Sequence, residues 1–251
     1  MSLLKVTNLK KAYGAIQAVG GVSFEVQPGE IFGVIGPNGS GKTTLFNSML
    51  GQITPDAGKI ELNDQDVTGL GPLELSKRGV GRTFQTLQVF GKMSVRDNLI
   101  VAAQEHQGTM FSRMFAPGDS GLGAKADALL AQFRLSHVAD LKAGTLSYGQ
   151  QKLVDIAMAF MSQPALVLLD EPCAGVNPSL VGGISTLLKQ LNKASATSDK
   201  RSSFVVIEHN MDFVMDLCHR IMVMVEGKVL AIGTPAEIRG NKQVLDAYLG
   251  A

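Results

Sequence analysis

The run Gly36-Pro37-Asn38-Gly39-Ser40-Gly41-Lys42-Thr43 matches G-x-x-x-x-G-K-[ST] at every fixed position. The chemistry this spacing serves is the gripping of phosphate. Glycines let consecutive backbone N–H groups turn inward around phosphate oxygens, where side chains would block them. The positive end of a following helix adds its field at the same point. Lys42 supplies a mobile cation for the β- and γ-phosphates, and the Thr43 hydroxyl can ligate Mg²⁺. Gly36, Asn38, Gly39, Ser40, Gly41, Lys42, Thr43 and Thr44 are therefore the expected nucleotide-binding residues. The bare pattern arises by chance in roughly one chain of this length in a hundred, and its plain alternative is a tight strand-to-helix turn with incidental Lys and Thr. A strand over Ile31–Ile35 before it and a helix over Thr43–Leu50 after it supply the required context. The chain is expected to bind Mg·ATP and to hydrolyse it.

A second constellation is the apolar run Ala165–Leu169 ending in Asp170-Glu171. A strand buried on both faces reads as a continuous hydrophobic stretch. Carboxylates at its C-terminal end lie where α/β sheets bind ligands. Asp170 would hold Mg²⁺, and Glu171 would polarise the attacking water. Two acids after a strand are weak evidence alone and strong evidence beside a phosphate loop. A third is Leu146-Ser147-Tyr148-Gly149-Gln150-Gln151. Ser147 and Gln150 predict a capping box opening an amphipathic helix through Leu153, Ile156, Ala157 and Phe160. The same geometry offers a hydroxyl, a glycine N–H and a helix N-terminus to an anion.

These groups need a scaffold, and the rest of the chain reads as one. Leu3–Val6, Val22–Val26 and Lys59–Leu62 predict strands, as do Ala165–Leu169 and Phe204–Ile207. Ile221–Val225 and Lys228–Ile232, joined by Glu226-Gly227, predict a β-hairpin, and Pro235–Leu249 a closing helix. From Val95 to Met161 the pattern is mostly helical, interrupted by a Gly- and Pro-containing stretch over Gly108–Gly123. The architecture is α/β with a helical insertion between two strands of the core sheet.

Bulk properties exclude several classes. The chain has 251 residues, 45% of them hydrophobic, enough for a substantial core. A net charge of +1, with basic residues only in isolated pairs, is not the footprint of a nucleic-acid binder. Two cysteines, Cys173 and Cys218, fit a reduced protein without a disulfide framework. No apolar run approaches the roughly 20 residues that span a bilayer, so any membrane role is expected to come through a partner.

Taken together, the motifs resemble the ATP-binding cassette (ABC) ATPases, whose signature reads Leu-Ser-Gly-Gly-Gln. The resemblance covers nearly the whole chain. It implies a single nucleotide-binding domain over residues 1–251, with a RecA-like phosphate-loop core, an antiparallel β-subdomain and a helical subdomain inserted at about 88–163. It also implies that Ser147, Gly149 and Gln150 contact ATP held by an opposite subunit, so that two ATPase subunits, alike or different, pair head to tail. Tyr148 departs from the family by replacing the first glycine of the signature. Other family positions fall in order: Tyr13 as the aromatic that stacks on adenine, Gln85 as the glutamine that senses Mg²⁺ and water, and His209 as the switch histidine at the γ-phosphate. Glu171, Gln85 and His209 are thus the expected catalytic set, and Thr43, Gln85 and Asp170 the expected Mg²⁺ set. Glu208 has no role that the sequence assigns.

Where the family often reads Ser-Ala-Leu-Asp after the catalytic acid, this chain reads Ala174-Gly175-Val176-Asn177. With Arg82-Thr83-Phe84-Gln85 and the Tyr148-containing signature, that makes the chain similar to ATPase subunits of branched-chain amino acid importers. The implied partners are transmembrane permease subunits, a second ATPase subunit and, indirectly, a solute-binding protein. The implied location is peripheral, at the cytoplasmic face of the inner membrane. Met110-Phe111 and Met114-Phe115 are either a docking patch for a membrane subunit or a fold-back onto the chain's own helices. Alternatives within transport are urea or lipopolysaccharide systems. Outside it stand a non-transport ABC ATPase, or a phosphate-loop kinase that would leave Ser147–Gln151 unexplained.

Overall fold

The computed structural model describes residues 2–83, 87–103, 121–194 and 202–249. Two sheets organise them. The first has four antiparallel strands in the order β2-β1-β4-β5: β1 (Leu4–Tyr13), β2 (Ile16–Val26), β4 (Ala57–Leu62) and β5 (Gln65–Asp66). The second has six strands in the order β10-β9-β3-β8-β7-β6: β3 (Ile31–Ile35), β6 (Val80–Arg82), β7 (Leu166–Asp170), β8 (Ser203–Ile207), β9 (Arg220–Val225) and β10 (Lys228–Gly233). β9, β3, β8, β7 and β6 run parallel, and β10 pairs antiparallel with β9 as a hairpin.

Strict alternation explains why the interior positions of β3, β7, β8 and β9 are apolar. Ile31, Val167, Phe204 and Ile221 face one hydrophobic cluster, while their neighbours Phe32, Leu166, Val205 and Met222 face the other. Both faces are therefore buried, as expected for parallel strands. The second cluster is filled by the four-stranded sheet and by Leu45, Phe46 and Met49 of α1 (Lys42–Met49). Phe24 of β2 stacks on Phe32 of β3 with ring centroids 5.2 Å apart, joining the two sheets directly. The first cluster is filled by helices.

The described residues between β6 and β7 hold α3 (Val95–Ala103), α4 (Leu122–Gln132) and α5 (Tyr148–Phe160). Val95, Leu99, Ala126, Leu130 and Val154 close this helical group on itself. Phe160 meets Phe204 of β8 edge-on at 5.6 Å, which anchors α5 to the sheet. α6 (Pro178–Ala194) and α7 (Met211–Leu217) cover the same face.

Several elements differ from the sequence reading. The strands expected at Leu3–Val6 and Val22–Val26 are the outer parts of a ten- and an eleven-residue strand. Register shifts between Val6, Leu9 and Lys10, with Asn8 at φ 48°, break the alternation that would have revealed them. The helix expected over Pro235–Leu249 is two, α8 (Pro235–Gly240) and α9 (Lys242–Leu249). Asn241 separates them: its backbone is extended, and its side chain accepts the N–H groups of Gln243 and Val244, as a helix cap does. β5, β6 and α2 (Pro72–Lys77) are short and were not expected.

Candidate nucleotide site

The phosphate loop leaves the C-terminal end of β3 and enters α1. Its two outer glycines are steric necessities. A Cβ on Gly36 would lie 2.1 Å from the Met224 carbonyl oxygen, and one on Gly41, at φ 93°, 2.0 Å from that of Ala18. The loop is wedged between β2 and the β9–β10 turn: the Gly227 N–H donates to the Ser40 carbonyl at 3.1 Å, and the Gly20 N–H donates to the Gly227 carbonyl at 2.7 Å. α1 has no side-chain cap and no acid in its first turn, so its leading amides face whatever anion sits in the loop. Lys42 folds back over the loop. Its Nζ donates to the carbonyls of Gly36 at 2.8 Å and Pro37 at 3.0 Å, and to Ser40 Oγ at 3.4 Å. Burial lowers the pKa of its ammonium, against the opposing field of Glu171. Asn38 and Gly39 form the exposed crown, and Thr43 and Thr44 open the helix.

Asp170 and Glu171 end β7, two strands from the loop with β8 between them. The Asp170 N–H donates to the Thr83 hydroxyl at 3.1 Å. Burial pushes the Asp170 carboxyl up, the Glu171 charge adds to this, and Lys152 opposes it. Glu171 adopts φ 46°, a left-handed conformation that costs a non-glycine residue about 1–3 kcal/mol and is tolerated only where the surroundings impose it. Its N–H is held by the Ile207 carbonyl at 2.9 Å. Its Oε1 accepts from His209 Nε2 at 2.9 Å. The structure therefore brings the acid from the end of β7 and the histidine from the end of β8 into direct contact. The donor set of the Thr43 hydroxyl and the Asp170 carboxylate is hard oxygen, which suits Mg²⁺.

Ser147 and Gln150 make the expected capping box at the start of α5: the Gln150 N–H donates to Ser147 Oγ at 3.4 Å, and the Ser147 N–H to Gln150 Oε1 at 3.1 Å. Tyr148 has a neighbour that the sequence did not reveal. A Cβ on Gly175 would lie 2.9 Å from Tyr148 Cε1, and Gly175 sits at φ 71°, so the ring covers a glycine in the loop after Glu171. A Cβ on Gly149 would likewise meet Leu180 Cδ1 at 3.1 Å. Signature and post-acid loop are packed together within one chain. Gly175→Ala is expected to destabilise the protein by about 1–2 kcal/mol through the clash and the positive φ. In a Tyr148→Ala background the cost should be smaller by at least about 0.5 kcal/mol. Denaturant titrations of the four proteins check this, and full additivity would refute the contact.

Tyr13 stands half exposed at the end of β1, with the Lys11 ammonium 5.8 Å from its ring centroid. Gln85 lies outside the described residues, as does the docking patch at Met110-Phe111 and Met114-Phe115. Asn177 caps α6, its Oδ1 accepting from the Ser179 N–H at 3.0 Å and the Ser179 hydroxyl at 2.9 Å. Two charged residues escaped the sequence reading. Lys152 of α5 is fully buried and acts on the Asp170 carboxylate. Glu208 is 4% exposed and accepts backbone N–H groups from the turn after β7 and from the turn after β8. The fully apolar strand before it was the one available hint that a following acid would be buried.

Comparison with known proteins agrees with this geometry. The ABC transporter family profile matches residues 19–174, and that of the branched-chain amino acid ATP-binding cassette transporter matches residues 228–251. The chain is 38% identical to the high-affinity branched-chain amino acid transport ATP-binding protein LivG of Escherichia coli (strain K12), over 99% of this chain and 98% of that one. It superposes on the ADP conformation of MJ1267, an ATP-binding cassette of an ABC transporter, with a TM-score of 0.87 and 35% identity, covering 100% of both chains. MJ0796, a bacterial ABC transporter cassette whose structure is dimeric, matches with a TM-score of 0.76 and 26% identity over 92% of this chain and 98% of that one.

Proposed function

This chain belongs to the ABC transporter ATPase family, and from that membership we propose that it powers uptake of branched-chain amino acids through separate membrane subunits. The observation that carries the ATPase reading is the Glu171–His209 pair, 2.9 Å apart at the ends of adjacent parallel strands, on the sheet edge where the phosphate loop also opens. The solute assignment is supported by likeness to LivG over nearly the whole chain. It is further supported by the match of the C-terminal residues 228–251 to the branched-chain transporter profile.

The loop amides and Lys42 hold the β- and γ-phosphates, with Lys42 leaving the Gly36 and Pro37 carbonyls for the more strongly accepting phosphate oxygens. Tyr13 stacks on adenine. Glu171 orients a water and takes its proton as the water oxygen bonds to the γ-phosphorus. The bond from that phosphorus to the β–γ bridging oxygen breaks, and its electron pair leaves with ADP. His209 donates to the γ-phosphate. Thr43, Asp170 and Gln85 would hold Mg²⁺, which would neutralise phosphate charge when bound. Ser147, Gly149 and Gln150 face the nucleotide of a second ATPase subunit. On this reading the described helices between β6 and β7, α3, α4 and α5, belong to the helical subdomain of a single nucleotide-binding domain and would face the permease, which receives solute from a binding protein. No described helix is long and apolar enough to cross a membrane. The place proposed from the likeness to transport ATP-binding proteins is peripheral, at the cytoplasmic face of the inner membrane.

The assembly is tested by complementation. Lys42→Ala and Gly149→Asp chains are each expected to be inactive. In a mixed dimer, one site carries both lesions and the other carries neither. Mixing should therefore restore single-turnover ATP cleavage. Where the native pair joins two different chains, the lesions are placed either at one shared site or one at each site. Cleavage indifferent to that arrangement would mean that the signature serves its own chain's nucleotide.

A further inference from the structure

Glu208 lies between the last residue of β8 and His209, almost fully buried. Its carboxylate accepts three backbone N–H groups. Cys173 donates to Oε1 at 2.7 Å, and His209 and Asn210 donate to Oε2 at 3.0 and 3.2 Å. The second and third bonds belong to a local turn. The first crosses to another strand end, because Cys173 follows Glu171 by two residues. One side chain thus ties the turn that carries the acid to the turn that carries the histidine.

A buried carboxylate is costly unless paired or fully hydrogen-bonded. This one also stands beside two others: its charge adds to those that raise the Asp170 carboxyl and the Cys173 thiol. Lys152, fully buried on α5, is the cation that faces the same group of residues. A third acid here disfavours ionisation of its neighbours, so local electrostatics give no reason for it. The geometry does. Charge-assisted bonds to N–H groups are short and directional, and the left-handed backbone at Glu171 has to be held from outside.

We propose that Glu208 is a positioning residue for hydrolysis, holding the Glu171 and His209 turns at one separation so that a displacement of His209 by phosphate is passed to the acid. This rests on the roles given to Glu171 and His209 above. Glu171→Gln and His209→Ala test those roles by themselves, and wild-type turnover in either would remove that reading whatever Glu208 does.

Two substitutions separate the bonds. Glu208→Gln keeps the size but turns one acceptor into an NH₂ donor, so it can serve Cys173 or the His209 turn but not both. Glu208→Asp keeps the charge and the local turn, yet is one methylene too short to reach Cys173. In the full-length chain assembled with its transport partners, each is expected to lower kcat about 10- to 100-fold, the worth of a roughly 1 Å misplacement. KM for ATP and the stoichiometry of bound ATP analogue should stay within about threefold of wild type. In a Glu171→Gln background the same substitutions should change single-turnover cleavage by less than about threefold, since no base remains to be positioned. Unchanged kcat in either variant would overturn the proposal, as would a full multiplicative loss in the Glu171→Gln background. Loss of analogue stoichiometry in proportion to turnover, in both variants, would make Glu208 a fold residue only.

Discussion

Glu171→Gln leaves nucleotide bound and slows ATP cleavage by about 10²–10⁴, the usual worth of a positioned acid–base group. The substitution is nearly isosteric. The amide oxygen can still accept from His209 Nε2, and the Glu171 N–H bond to the Ile207 carbonyl belongs to the main chain, so the turn keeps its shape. What disappears is the proton acceptor. If nucleotide lies between two subunits, as proposed, the ATP-bound dimer should also persist on gel filtration, where a wild-type dimer dissociates as it turns over. Parallel measurements of bound analogue and steady-state turnover check both statements. Turnover within about threefold of the wild-type value would remove Glu171 from the base role.

Lys42→Ala is the counterpart on the binding side, with affinity for ATP falling by about 100-fold or more. A hydrogen bond from a charged donor contributes about 1.5–3 kcal/mol, and on the proposed reading this ammonium serves two phosphates from a site already 95% shielded from solvent. That shielding follows from its 5% exposure, and burial has already lowered the pKa of its ammonium. Without nucleotide, Lys42 satisfies the carbonyls of Gly36 and Pro37. Alanine removes the partner of both, and because the Gly36 carbonyl is buried the fold should lose about 1–3 kcal/mol as well. Equilibrium titration with a fluorescent ATP analogue, beside a thermal melt of the free protein, separates the two. Unchanged affinity would show that the loop does not hold the phosphates.

Features governed by neighbours in sequence were legible. The phosphate loop needs a strand, three glycines and a helix start in one short run, and β3 and α1 fall within a residue of their expected bounds. β7, β8 and β9 announced themselves because burial on both faces leaves polar residues only at their ends, at Asp170, Ser203 and Arg220. The capping box of Ser147 and Gln150 is local too, and it formed as read. Features governed by distant partners were not legible. β1 and β2 carry lysines, glycines and register shifts that blur their alternation. Gly81 could not be seen as a packing requirement, although a Cβ there would meet the Ala159 carbonyl at 2.8 Å and Pro164 Cγ at 2.8 Å. The bond from Cys173 to Glu208 spans 35 residues, and the contact of Tyr148 with Gly175 joins two motifs that sequence presents separately. In each case the cause is a partner distant in sequence that folding brings close.

The wedge between β2 and the β9–β10 turn sets an order of events during synthesis. The residues of the phosphate loop are made well before one of its walls, Gly227, which lies 187 residues beyond Ser40. Until that turn arrives, the Ser40 carbonyl lacks its partner and the hairpin carbonyl that holds Gly20 does not exist. Contacts this distant in sequence form slowly. Until then the nascent chain carries every residue of the loop without the cage that gives those residues their shape. Nucleotide can therefore act as a folding ligand only after the β9–β10 turn has been made.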